Sequence, residues 1–176
     1  MTITTWEANA NLSWSTAAQT PGAGTRTYLT GSALTIPATK LQIGTVLRWR
    51  IHATKSAAGT AACTFEVCFG TAGGTADTAR VSFVKPAGTA AADDAWISID
   101  CIVRGPLSGS GVVVGTFRLI HNLSATGHAT IPCVILNTVS GAFDVTVASL
   151  IAGVAFTAGA AEAYTIQQVN GMIRNV

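Results

Sequence analysis

Between Val46 and Ala53 the side chains alternate without a break: Leu47, Trp49, Ile51 and Ala53 fall on one side, Arg48, Arg50 and His52 on the other. Successive side chains of an extended chain leave opposite faces of the pleat, so strict period-two alternation identifies a half-buried β-strand and excludes a helix. Gly44-Thr45 supplies the turn ahead of it. The rest of the chain repeats this unit, with alternating runs cut by Gly, Pro, Ser and Asn. Strands are expected at 33–36, 45–54, 62–69, 78–84, 95–104, 112–121, 130–136, 143–156 and 164–174. Their inward faces carry Cys63, Phe65, Val67 and Phe69; Ala79, Val81 and Phe83; Ile97, Ile99, Cys101 and Val103; and Phe117 and Leu119. The connections are too short for parallel crossovers. Eight main antiparallel strands in two sheets, the first of the nine being a short lead-in, make a jelly-roll β-sandwich the expected fold.

At 176 residues the chain fits one all-β domain and buries a sizeable core without disulfide staples. Residues 1–30 lack clean alternation, hold Trp6 and Trp14, and contain the loop-like Gln19-Thr20-Pro21-Gly22. They read as an irregular N-terminal arm ahead of a jelly-roll domain at 31–176; a first edge strand followed by a long loop has the same pattern. Charged residues are only 10 % of the chain, against roughly 25 % in ordinary soluble domains. No apolar run reaches the roughly 20 residues of a membrane-spanning helix, so no membrane partner is expected. Scarce charge instead points to surface buried between subunits, whose interface cores are depleted of charge. Two strands, Val112–Val114 and Cys133–Leu136, are apolar on both faces and need a second cover. Val112, Val114, Val134 and Leu136 are therefore candidate subunit contacts, and so is the basic stripe Arg48, Arg50 and His52, extended by Arg118 or Arg104. A net charge of +2 does not argue for nucleic acid.

The N-terminus lacks the basic and apolar segments of a secretory signal, which leads to the expectation of synthesis in a cytosol. The four cysteines fit buried free thiols; none has zinc spacing, and no metal or cofactor is expected. Asp93-Asp94 lacks the alternating oxygens of a calcium loop and reads as strand-start chemistry. Asp100 with Glu66 or Asp144 has the residue types of a glycosidase pair, but their spacing does not place them together. His121 and His128 read as loop histidines, and Trp96 as core rather than a sugar platform. No nucleophile elbow or phosphate loop is present, and no catalytic residue is assigned.

Leu34-Thr35-Ile36-Pro37-Ala38, then Leu41-x-Ile43-Gly44-Thr45-Val46-Leu47-Arg48, then Trp96–Arg104, a Gly/Ser hairpin and Gly115-Thr116-Phe117-Arg118 follow one another in order. With Phe143-Asp144 and Ala163–Gln168 at the end, this succession resembles the small jelly-roll domains of tailed-bacteriophage virion proteins: head-decoration proteins, head fibres and tail-fibre knobs. The likeness spans residues 32–176 and rests on turns and strand faces. It departs where such domains commonly carry a Trp, since Val154-Ala155-Phe156 stands there. The resemblance implies a bacteriophage structural protein, a homotrimer that decorates or cements the capsid and is located in the virion after synthesis in the host cytoplasm. Its partners would be the major capsid protein or other virion proteins, with Trp6 and Trp14 of the arm as capsid anchors. The alternative is a tail-fibre or receptor-binding knob that recognises a host surface glycan.

Overall fold

In the computed structural model, residues 12–36, 41–56, 59–122, 126–130 and 133–174 are described. They form an all-β, antiparallel two-sheet sandwich. The strands are β1 (Leu12–Ser15), β2 (Arg26–Tyr28), β3 (Leu34–Thr35), β4 (Val46–Lys55), β5 (Cys63–Gly70), β6 (Thr78–Lys85), β7 (Asp93–Val103), β8 (Val113–His121), β9 (Cys133–Val139), β10 (Ile151–Thr157) and β11 (Tyr164–Arg174). One sheet has six strands in the order β1-β11-β4-β7-β8-β9; the other runs β2-β10-β5-β6, with β3 also on β10.

The pairing reverses the chain order. β1 pairs with β11, β2 with β10, β4 with β7 and β5 with β6, so the first half of the chain lies against the second half run backwards. β4, the strand of strict alternation, sits between β11 and β7, with Leu47, Trp49, Ile51 and Ala53 fully buried. Between the sheets Phe65 of β5 meets Phe117 of β8 at 5.3 Å and Phe156 of β10 at 4.6 Å, and Phe117 meets Phe83 of β6 at 5.6 Å. Trp49 closes the other flank by donating its indole N–H to the Ser32 carbonyl at 2.7 Å. The four cysteines are free and buried, and burial pushes the Cys63 and Cys101 thiols up to about 12, which keeps them protonated.

Three expectations change. The described residues hold eleven strands rather than eight, because short strands form where an arm was expected. From Leu12 onward the segment is built into both sheets: β1 edges the larger one, β2 edges the smaller one, and Leu29 is fully buried between them. Gly153 permits this, since a Cβ there would strike the Tyr28 ring lying across β10. Second, residues 143–150 are not strand. Asp144 accepts from the Thr146 backbone N–H at 2.8 Å and hydroxyl at 2.6 Å, an Asx-type turn that competes with the ladder, and β10 begins only at Ile151. Third, β9 does not stop at Asn137 but passes through it at φ 57, the left-handed value that asparagine tolerates, beside a register shift against β8.

Removing residues 1–30 therefore takes away two edge strands and a core leucine. The truncated chain is expected to lose more than the about 2–5 kcal/mol that deleting one buried leucine side chain costs, as read from urea unfolding midpoints. An unchanged midpoint would show that these strands add nothing to the sandwich.

Candidate interaction face

The outer face of the six-stranded sheet gathers most of the residues singled out from the sequence. Strand register sets them in rows. One row reads Trp14, Asn170, Arg50, Ser98, Arg118, Val134 across all six strands. A neighbouring row reads Gln168, His52, Trp96, Ile120, and another Leu12, Met172, Arg48, Asp100, Thr116. At the far end lie Arg174, Val46, Ile102, Val114 and Val139, with the half-exposed Val112 just before β8. Leu136 points outward from β9 and is 63 % exposed. Of the twelve large exposed hydrophobics among the described residues, eight lie here: Leu12, Trp14, Trp96, Ile102, Ile120, Val134, Leu136 and Val139. A sheet face turned to water is ordinarily polar, and a contiguous exposed apolar patch marks an interaction site.

Two of the three residues in the basic stripe are partnered within the chain. Arg48 binds Asp100 with both ends of its fork, Nε to Oδ1 at 2.5 Å and Nη2 to Oδ2 at 3.3 Å. His52 stacks on Trp96, ring centroids 4.9 Å apart and planes 16° from parallel, with its Nε2 at 3.7 Å from Asp94. Asp94 in turn accepts from the Thr54 hydroxyl at 2.7 Å. Arg50 and Arg118 make no ion pair among the described residues. A depression of about 240 Å³ lined by Val46, Arg48, Met172 and Arg174 lies on the same face. Trp96 was expected in the core; it is 48 % exposed, because the parity that buries Ala95, Ile97 and Ile99 turns it outward. Arg104 follows β7 and lies off the rows. Trp6 falls outside the described residues.

The acids do not form a glycosidase pair. Asp100 is held by Arg48 on this face, while Glu66 lies on the other sheet and binds Arg26 Nε at 2.5 Å, and Asp144 sits in the turn before β10. Among the described residues, no group of three or more His, Cys, Asp and Glu side chains has the arrangement to hold a metal ion.

A second polar assembly lies inside one end of the sandwich and corrects the reading of the histidines as surface groups. Lys55 and Lys85 are fully buried. Lys55 Nζ donates to the carbonyls of Gly59 at 3.0 Å and Thr89 at 2.8 Å; Lys85 Nζ donates to Pro86 O at 2.6 Å and to His128 O. Asp93 Oδ2 meets His121 Nδ1 at 2.9 Å and accepts from the His128 backbone N–H at 3.0 Å. His128 is fully buried, its ring 5.6 Å from that of Tyr164, and neither ring nitrogen has a hydrogen-bond partner. Burial pulls its imidazole down to about 4, with Asp93 opposing the shift and Lys85 adding to it. Burial also lowers the Lys55 ammonium, against the raising influence of Glu162. The signal for this cluster is present in the sequence: Lys55, Lys85 and Asp93 occupy the core parity of their strands, in line with Ala53, Phe83 and Ala95.

Comparison with protein-family models, curated proteins and solved structures finds no match.

The buried imidazole sets a pH dependence. Its folded pKa of about 4 lies below the ordinary 6.5, so the unfolded chain binds the proton more readily between those values. Stability is fully present above pH 6.5 and is lost as pH falls toward 4, by up to about 1.4 kcal/mol per pH unit. Urea unfolding at pH 7 and pH 4.5 is expected to display the loss in the native chain and a smaller one in His128→Phe. Identical losses in the two proteins would remove His128 as the cause.

Proposed function

We propose that the chain is a jelly-roll structural subunit of a bacteriophage particle, a homotrimer that decorates or cements the capsid. The observation that carries the reading is the set of eight exposed large apolar side chains on the outer face of the six-stranded sheet, with Trp14 and Leu136 more than three-fifths exposed on a single chain. Leaving such a face in water is unfavourable, and a specific interface of standard size takes about 800 Å² from each partner. The jelly-roll wiring is supported by the reversed pairing of β1·β11, β2·β10, β4·β7 and β5·β6, the course of a long two-stranded ribbon rolled into two sheets, with β8 and β9 added at one edge. Scarce charge agrees with surface withdrawn from water. On this reading the protein works by adhesion, takes no cofactor, and meets other copies of itself and the major capsid protein or other virion proteins. Trp14, at the outer edge of the face, is the anchor nearest the N-terminus among the described residues.

The exposed Trp96, with His52 stacked upon it, favours a second reading: a receptor-binding knob in which an aromatic platform takes the apolar side of a host-surface sugar.

Light scattering behind a sizing column is expected to give a mass about three times 17.9 kDa, and quantitative mass spectrometry of purified particles to find the chain in multiples of three copies. A monomer absent from particles would overturn the proposal. Glycan-array binding that Trp96→Ala abolishes without altering mass would move the assignment to the knob.

A further inference from the structure

We infer that copies of this chain meet head to tail, with Asp144 of one copy seated between Arg50 and Arg118 of the next. The inference rests on the homo-oligomer of the preceding reading and names the contact that builds it.

The receiving site lies in the middle of the outer face. Arg50 and Arg118 flank Ser98 in one row, two strand spacings or about 10 Å apart at Cα, so both guanidiniums can converge above the small serine. Neither has an acidic partner among the described residues. Trp96 and Ile120 border the spot from the adjoining row, and Trp14 and Val134 end its own row. This is a site for a carboxylate with apolar flanks. An interface with two unpaired arginines at its centre would be costly, because buried charge needs a counter-charge. The face itself offers no free carboxylate, since Asp100 is held there by Arg48 and Asp94 by the Thr54 hydroxyl beside His52, so the counter-charge comes from another surface.

Elimination among the described carboxylates leaves one. Among the described residues Glu66 and Asp100 are held by arginines, Asp77, Asp93 and Glu162 are buried, and Asp94 lies on the receiving face beside His52. Asp144 remains. Its hydrogen bonds from Thr146 hold its carboxyl below the usual carboxylate range, so it stays ionised. It stands between the inward-facing Phe143 and Val145, and the turn is tied to the 105–111 hairpin by Phe143 N–H to Gly111 O at 3.0 Å and Val145 N–H to Ser108 O at 3.2 Å. The large exposed apolar side chains of the two joined loops are Leu107 and Val147. A carboxylate between apolar neighbours matches two arginines between apolar neighbours. Because donor and receiver are different surfaces, the contact is heterologous and closes into a ring when the rotation per copy is 120°.

The test is charge reversal on each side and then on both, read by light scattering with circular dichroism as the control for folding. Asp144→Arg alone, and Arg50→Asp with Arg118→Asp, are each expected to reduce the mass to that of one chain while the β spectrum is kept. The triple variant reverses both partners and is expected to recover the native mass. Asp144→Asn keeps the oxygen that Thr146 binds, guards against misfolding of the turn, and is expected to give an oligomer that dissociates at lower salt. Native mass retained by Asp144→Arg, or no recovery in a folded triple variant, would overturn the contact and leave the oligomer standing. A native chain that is itself monomeric would overturn both readings.

Discussion

Phe65 touches Phe117 from the facing sheet and Phe156 from its own, and through these rings the two sheets are held at one spacing. Aromatic pairs at these separations add about 0.5–1.5 kcal/mol each to the apolar area they bury. Their larger effect is geometric. Once β5, β8 and β10 are set by the rings, β4 is set too: it lies two strands from β8 in its sheet, and Trp49 must reach the Ser32 carbonyl. Ser32 in turn holds β10, because its hydroxyl accepts from the Val154 N–H at 3.0 Å and donates to the Leu29 carbonyl at 2.7 Å. The segment before β4 is therefore a working part of the core.

The distribution of charge follows from the same packing. With so few charged groups, the sandwich draws five of its eight carboxylates into pairs with arginine or into its interior, leaving Asp94 and Asp144 as the exposed ones among the described residues. Arg26 illustrates the economy: its guanidinium meets Glu66, the Cys68 thiol at 3.0 Å and the carbonyls of Thr75 and Asp77, sealing the outer side of the smaller sheet. The larger sheet has the Arg48–Asp100 and His52–Asp94 pairs and, among the described residues, leaves Arg50, Arg118 and eight large apolar side chains exposed. The two outer faces thus differ in kind, one closed by its own residues and the other open.

Much of this was legible in the sequence, and the failures have definite physical causes. The alternation from Leu47 to Ala53 located the central strand and its inner face because a tryptophan and two β-branched or branched aliphatic residues share one parity with no exception. β11 was found from Tyr164 to Arg174 although its parity shifts at Gln167, where a bulge lies between Ile166 and Gln168. The outer face was partly visible, since Arg48, Arg50, His52, Val114, Val134 and Leu136 all lie on it. Residues 143–150 were misread because their apolar content reflects two core anchors, Phe143 and Val145, spaced by a turn, and composition alone does not separate that from a strand. Trp96 was misplaced by its size when parity already turned it outward. The buried end was missed because two of the carbonyls that its lysines donate to, Thr89 O and His128 O, lie far along the chain, a pairing that no local pattern encodes.

The sequestered lysines also determine which chemistry can see the folded chain. Of its three lysines, Lys55 and Lys85 have no exposed surface and spend their donors on the loops that cover them. The described outer surface carries its positive charge on guanidiniums alone. Amine-directed cross-linkers and acylating labels thus pass over both sites while the sandwich is closed. The same two amines become reactive only when the end loops part, so their acylation is a clock for opening of the sandwich rather than a map of what it touches.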